Sequence, residues 1–247
     1  VSATATAGDL AGLAAADLLA DRLEAIARGF RKVAFASSLG AEDMVITDAI
    51  LRVGLPIEIF TLETGRLHRE TLDVVGRIKA RYGYDVTLVR PDTAAVDAYV
   101  RQHGANAFYE SVDLRKACCR IRKVEPLARA LAGKDAWITG LRRSQSTTRT
   151  DLALREDDAV HGIPKFNPLA DWSEPEVWAY IRERDVPYNV LHDRGYPSIG
   201  CEPCTRAIKP GEDIRAGRWW WEQADSKECG LHVAPDGTLQ RAGAQTS

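Results

Sequence analysis

Val33-Ala-Phe-Ala-Ser-Ser-Leu-Gly-Ala-Glu-Asp43 joins a short apolar run, a turn of serine and glycine, and a helical pattern that resumes over 42–53. An apolar run of four residues without alternation reads as a strand buried on both faces. The unit then repeats. Ile57-Glu-Ile-Phe-Thr-Leu62 reads as a second strand, followed by a helix over 66–82. Asp85-Val-Thr-Leu-Val89 predicts a third strand, with helices over 93–103 and 113–132, and Ala136-Trp-Ile-Thr139 a fourth. Upstream, Leu10, Leu13, Leu19, Leu23, Ile26 and Phe30 lie near one face of a helix over 9–30. Strands alternating with helices point to an α/β fold with a doubly wound, mostly parallel sheet. Ligands of such sheets lie outside the carboxyl ends of the strands.

Past residue 140 the pattern loosens. Residues 142–158 are polar and read as a mobile loop. Ser173-Glu-Pro-Glu176 is a capping box with Pro175 in the first turn, opening a helix to about residue 184. Residues 187–215 are rich in Pro and Gly and read as loop, and the stretch after His232 as disordered.

The chain's 33 basic and 35 acidic residues leave a net charge of −2, which offers no global field for nucleic acid. No apolar run approaches the roughly 20 residues of a membrane span. Asp9, Asp17, Asp21 and Arg22 interrupt the early leucines, unlike the apolar region of an export signal. The expectation is a cytoplasmic chain without nucleic-acid or membrane partners; homo-oligomerisation is left open.

Five cysteines cannot all pair within one chain, and a chain without an export signal keeps its thiols reduced. Cys118 and Cys119 are adjacent, Cys201-Glu-Pro-Cys204 is a C-x-x-C loop, and Cys229 stands alone. Two pairs brought together suit zinc or an iron–sulfur cluster, and both readings stand on spacing alone. The 81 residues between Cys119 and Cys201 mean that only the fold joins the pairs. Lys123 is four residues after Cys119 and is expected on the same helix face, with Arg120 and Arg122 beside it.

The turn at Ser37, Ser38 and Gly40 is either an ordinary serine-capped turn or an anion site of backbone N–H groups and hydroxyls. Leu62, Thr64 and Gly65 end the next strand, and that loop reads either as a surface turn or as the second wall of a cleft. Two basic clusters, Gly140-Leu-Arg-Arg-Ser-Gln-Ser146 continuing to Arg149, and Arg215 with Arg218, supply forks that match phosphate or sulfate oxygens. Cys229, in Lys227-Glu-Cys-Gly-Leu-His232, has Lys227 and His232 nearby in sequence to favour the nucleophilic thiolate. Among Trp219, Trp220 and Trp221 some are expected as core anchors and one as a partner surface.

These stretches, with Asn167-Pro-Leu-Ala-Asp-Trp172 and Gly200-Cys-Glu-Pro-Cys204, resemble the sulfonucleotide reductases over residues 30 to 232. Both cysteine pairs make the resemblance closest to the adenylyl-sulfate (APS) branch. It implies a [4Fe-4S] cluster on Cys118, Cys119, Cys201 and Cys204, and a catalytic Cys229. It also implies an adenine-nucleotide α-hydrolase-like core over about 31–210, after an N-terminal helix to about 30 and before a catalytic tail over about 211–247, all within one domain. On that basis APS lies across the strand ends: adenine near Leu62 and Thr64, α-phosphate at Ser37, Ser38 and Gly40 with Gly140 alongside. Lys123, Arg215 and Arg218 hold the sulfate, Arg149 covers the nucleotide, and His232 orients the sulfate. Thioredoxin is the expected reductant, with AMP and sulfite as products. Related PP-loop enzymes carry Ser-Gly-Gly-x-Asp-Ser where this chain has Ser-Leu-Gly-Ala-Glu-Asp43, which argues against ATP cleavage. Glu63 stands where many relatives have Asp. The alternatives are a phosphoadenylyl-sulfate (PAPS) reductase and a zinc-stapled nucleotide-binding protein without catalysis.

Overall fold

The computed structural model describes residues 7–145 and 151–222, with side chains from residue 15 onward. Its strands are β1 (Val33–Ala36), β2 (Ile57–Leu62), β3 (Thr87–Val89), β4 (Ala136–Ile138), β5 (Arg155–Asp158) and β6 (Ile163–Phe166). They form one sheet in the order β3-β2-β1-β4-β6-β5. All neighbours are parallel except β5 and β6, which form an antiparallel hairpin at one edge. The helices are α1 (Ala7–Gly29), α2 (Ala41–Val53), α3 (Arg69–Tyr82), α4 (Thr93–His103), α5 (Val112–Cys119), α6 (Glu125–Leu131) and α7 (Glu174–Glu183).

Side chains of a strand alternate between faces, and here both faces are buried. Val33, Phe35, Ile57, Ile59, Ala136 and Ile138 point to one side, into a core completed by Leu19, Leu23, Met44, Ile50 and Tyr180 from the helices. Ala34, Phe60 and Trp137 point to the other, against Leu127 and Leu131 of α6. The doubly wound reading is therefore what the central strands were composed for. The capping box forms as expected: Ser173 accepts from the Glu176 N–H while the Glu176 carboxylate reaches back to the Ser173 N–H. Such a cap contributes about 1 kcal/mol.

Two expectations need correction. Residues 142–158 are not all loop, because Arg155–Asp158 forms β5, and β6 was not anticipated at all. Arg-Glu-Asp-Asp has no apolar alternation to announce a strand. It is an edge strand, where charge is tolerated and discourages further pairing. Asp158 builds the hairpin turn by accepting the N–H groups of Val160 and His161, and Gly162 takes φ +68° there. The helix expected over 113–132 is instead interrupted. α5 ends at Cys119, a π-helical turn runs over Arg120–Val124, and α6 follows with Pro126 in its first turn. A π turn widens the winding, so Lys123 does not keep the simple four-residue relation to Cys119.

Candidate active site

A cavity of about 900 Å³ opens outside the carboxyl ends of β1, β2 and β4. Ser37, Ser38 and Gly40 line it from the β1 loop, Leu62 and Thr64 from the end of β2, and Gly140 from the β4 loop. Lys123 of the π turn, Arg215 and Arg218 line it too, together with Cys201. Residues distant in the chain thus meet at one cleft. Arg149, Cys229 and His232 lie outside the described residues.

The loop after β1 carries one feature that the sequence reading did not anticipate. Its donors are held by an internal acid. Asp43, on the first turn of α2, accepts from the Ser38 N–H and the Ser38 hydroxyl, each at 2.5 Å. The Gly140 N–H reaches the same carboxylate from the β4 loop. The Ser37 hydroxyl turns back to accept the Leu39 N–H at 3.2 Å. These bonds support Leu39, which sits at φ +62°, a strained conformation for a branched side chain. Burial above all, with some help from neighbouring Glu42, pushes the Asp43 carboxyl up to about 6. Glu42 itself is held by Arg142 through Nη2 at 2.6 Å and Nε at 3.0 Å. Arg142, expected in a basic cluster matching phosphate or sulfate oxygens, is instead buried and engaged by Glu42.

The four paired thiols converge beside this cleft. Cys118 and Cys119 end α5, and Cys201 and Cys204 bracket a short 3₁₀ turn whose ends are joined by the Cys204 N–H to the Cys201 carbonyl. Burial first, and then the charge of Cys201, push the Cys204 thiol up to about 12, against the opposing pull of Lys123 and Arg218. Burial also raises Cys118, with Arg122 opposing and Cys201 reinforcing. Thr64 Oγ1 lies 3.3 Å from the Cys201 sulfur. Such thiols shed their protons only when a metal takes them. Among the described residues no three His, Cys, Asp or Glu side chains gather closely enough for a single metal ion. Four cysteines flanked by cations are the donor set that an iron–sulfur cluster takes, and the residues present fit that group.

The segment leading toward Cys229 is anchored on the same thiol elements. The Trp219 N–H donates to the Cys204 carbonyl, and Thr205 and Arg218 form an antiparallel bridge. Trp219 is buried, as expected of a core anchor, and Trp220 is 48% exposed. Arg115, one turn before Cys118 and Cys119, grips Glu222 with two parallel bonds of 2.8 and 2.9 Å, both side chains buried. Arg218 packs on Gly200, where a Cβ would lie 2.4 Å from its Nη2. Its Nε is buried without a hydrogen-bond partner among the described residues.

Sequence reasoning missed Asp43 and the aromatic outer wall of Trp178, Tyr188 and His192. An acid in the first turn of a helix is ordinary, so nothing local marks Asp43 as facing a cleft. The wall residues come from α7 and the loop after it, where no motif stands out.

Fold and cleft together define a parallel-sheet protein of the class that takes anionic, nucleotide-like ligands at its strand ends, with a four-thiol site in the adjoining wall. Residues 32–207 match the model of the phosphoadenosine phosphosulfate reductase domain. The chain belongs to that family. It is 61% identical over 232 residues to the adenosine 5'-phosphosulfate reductase of Burkholderia cepacia, covering 94% of this chain and 93% of the other. It is 58% identical to the protein of that name from Allochromatium vinosum, covering 85% and 82%. Among solved structures, PAPS reductase from Candida auris in a phosphate complex superposes with TM-score 0.66 at 28% identity, covering 84% of this chain and all of that one. FMN adenylyltransferase from Candida glabrata, at 13% identity and TM-score 0.56 over 96% of this chain and 84% of its own, shares the fold.

Proposed function

We propose that this chain is an adenylyl-sulfate reductase: it reduces APS to sulfite and AMP with thioredoxin as the electron donor. The observation that carries the reading is the cleft itself. A serine-glycine loop, a β2 end and the cations Lys123, Arg215 and Arg218 face one space, with Cys201 of the thiol set in its wall. The names of the relatives point to the same substrate.

In this reading the adenine packs by Leu62 and Thr64. The α-phosphate meets the Ser37, Ser38 and Gly40 loop beside Gly140, and the sulfate lies among Lys123, Arg215 and Arg218. The buried Nε of Arg218 is a donor suited to a sulfate oxygen. Arg149 covers the nucleotide and His232 orients the sulfate. The Cys229 thiolate attacks sulfur. An S–S bond forms, the bond from sulfur to the bridging oxygen breaks, and AMP leaves with the electron pair. A thioredoxin thiolate then attacks Cys229 sulfur, and sulfite departs with the electrons of the S–S bond. The second thioredoxin thiol resolves the mixed disulfide and restores the Cys229 thiolate. The cations offset charge gathering on the departing phosphate. Cys118, Cys119, Cys201 and Cys204 would hold the [4Fe-4S] cluster. When bound, that group supplies fixed charge and rigidity to the wall carrying Cys201. In this reading the chain divides into a core over 31–210 and a catalytic tail over 211–247 that carries Cys229.

The test is sulfite release, without oxygen, with APS and PAPS side by side and with Cys229→Ser in parallel. Strong preference for APS and no turnover by the variant are expected. Preference for PAPS refutes the substrate, and a variant that turns over refutes the nucleophile.

A further inference from the structure

Asp43 takes no part in the steps above, yet it lines the cleft and is only 6% exposed. Its Oδ2 holds the N–H and hydroxyl of Ser38 at 2.5 Å each. The Gly140 N–H reaches it from the facing loop. Its Oδ1 fills the space over Gly140, where a Cβ would come within 2.0 Å. The protein's own carboxylate therefore occupies the donors that a nucleotide phosphate would use.

We propose that Asp43 is the positioning residue of the phosphate loop, and that a 5'-phosphate gains the Ser38 and Gly140 donors as Asp43 takes up a proton. The inference rests on the nucleotide reading above. With its donors engaged, the ionised carboxylate ties the β1 loop to the β4 loop and keeps the empty cleft in shape. An arriving phosphate competes for the same N–H groups, and two anions sharing one buried site cannot both stay charged. A neutral carboxyl yields an acceptor place and presents an O–H to the phosphate. The proton comes from solvent and returns there when the nucleotide leaves.

The charged groups around Asp43 leave this proton as the one that responds. Glu42, beside it on α2, is paired with Arg142 from the β4 loop. His192, beyond Glu42 on the outer wall, is kept below its ordinary value by burial and is neutral above pH 7. Lys123, Arg215 and Arg218 line the cleft as cations. Asp43, held up at about 6 by burial, needs only a further rise on ligand binding to be protonated near neutrality. The sign follows. Affinity is full below the free-state value and falls, by up to about tenfold per pH unit, as pH rises from there to the value in the complex.

The probe is the 5'-methyl ester of AMP, whose single phosphodiester charge does not titrate between pH 5 and 9. Calorimetric titration of the anaerobically purified protein at pH 5.5–8.5, in buffers of differing ionisation heat, reads affinity and proton uptake together. We expect affinity to fall above about pH 6 and an uptake of up to one proton per ester at pH 7. Asp43→Asn should flatten the profile and abolish the uptake. A flat wild-type profile without uptake, or an Asn variant with an unchanged slope, overturns the inference. The wild-type uptake stands as a test even if the variant does not fold. A protein that releases sulfite from APS but shows no uptake sinks this inference alone. Ester that fails to bind at any pH sinks the nucleotide reading as well.

Discussion

Gly140→Ala isolates what the Asp43 carboxylate does for the fold. Gly140 does not have a positive φ, so alanine is tolerated by the backbone, and contact alone decides the cost. The added Cβ would lie 2.0 Å from Asp43 Oδ1 and 3.1 Å from its Cγ, so the carboxylate must retreat by more than 1 Å. That breaks its short bonds to Ser38. Hydrogen bonds to a charged group contribute about 1.5–3 kcal/mol each, but the acid has an escape. Its value of about 6 lets it take a proton at pH 7 for roughly 1.4 kcal/mol, leaving neutral bonds worth about 1 kcal/mol each to be lost. The expected cost is about 3–4 kcal/mol, which lowers the melting temperature by roughly 6–16 °C at this chain length. The cost should also depend on pH. Asp43 is raised from 3.8 to about 6, so the folded protein holds the extra proton. The stability this confers is full below pH 3.8 and gone above about 6. At pH 5.5 the wild-type acid is already largely protonated, and the substitution should cost about 2 kcal/mol less than at pH 7.5. Melts followed by circular dichroism at one scan rate give the comparison. Asp43→Ala removes the obstacle, so Asp43→Ala/Gly140→Ala should be scarcely less stable than Asp43→Ala alone. Additive losses in that cycle would show that Gly140 and Asp43 do not meet as described.

Two further perturbations probe the thiol wall. Glu222→Leu should destabilise by about 3–5 kcal/mol by stranding the buried Arg115 charge, whereas Arg115→Met/Glu222→Leu should recover most of that loss; melts with iron analysis decide, and a double variant as weak as the single refutes the desolvation argument. Gly200→Ala should displace Arg218, whose guanidinium occupies the Cβ position, and raise KM for the sulfonucleotide about tenfold, roughly 1.4 kcal/mol, with iron per chain unchanged. Loss of iron instead would assign Gly200 to the support of Cys201.

Much of this molecule was legible in its sequence, because the central strands carry their own evidence. β1 and β4 are apolar on both faces and β2 is apolar apart from Glu58 and Thr61, so they read as buried strands without knowledge of their neighbours. The strand-end rule then located the cleft, and Ser38, Leu62, Thr64 and Gly140 all line it. What stayed hidden depends on partners far along the chain. β5 is polar because it is an edge, and β6 contains Pro164, which speaks against a strand until the unpaired N–H position is known. The π turn at Arg120–Val124 has no sequence signal of its own. Asp43 looks like an ordinary first-turn acid until Gly140 is brought against it from the β4 loop. Arg142 looks like a fork for a bound oxyanion until Glu42 is seen to hold it.

The loop after β2 is the joint that makes the thiol site and the cleft one object. The Arg122 guanidinium donates to the Thr64 carbonyl at 2.6 Å, tying the π turn to this loop. From the other pair, Cys201 forms a bridge with Leu67, the Glu202 N–H donates to the Arg66 carbonyl, and Cys201 sulfur meets Thr64 Oγ1. Gly65 turns at φ +70°, with Arg122 Nη1 3.2 Å from where a Cβ would be, so the bend has room for little else. Glu63 completes it by accepting the Gly65 N–H at 2.7 Å, which explains how a glutamate serves there. Thr64 and Leu62 are also cleft wall. The 81 residues between the cysteine pairs are therefore closed through the very loop that would carry the adenine. A metal group held by the four thiols would act on that wall through the contacts of Cys201 with Thr64 and Leu67. A fixed charge set and a rigid Thr64 loop are consequences of packing already present in the chain.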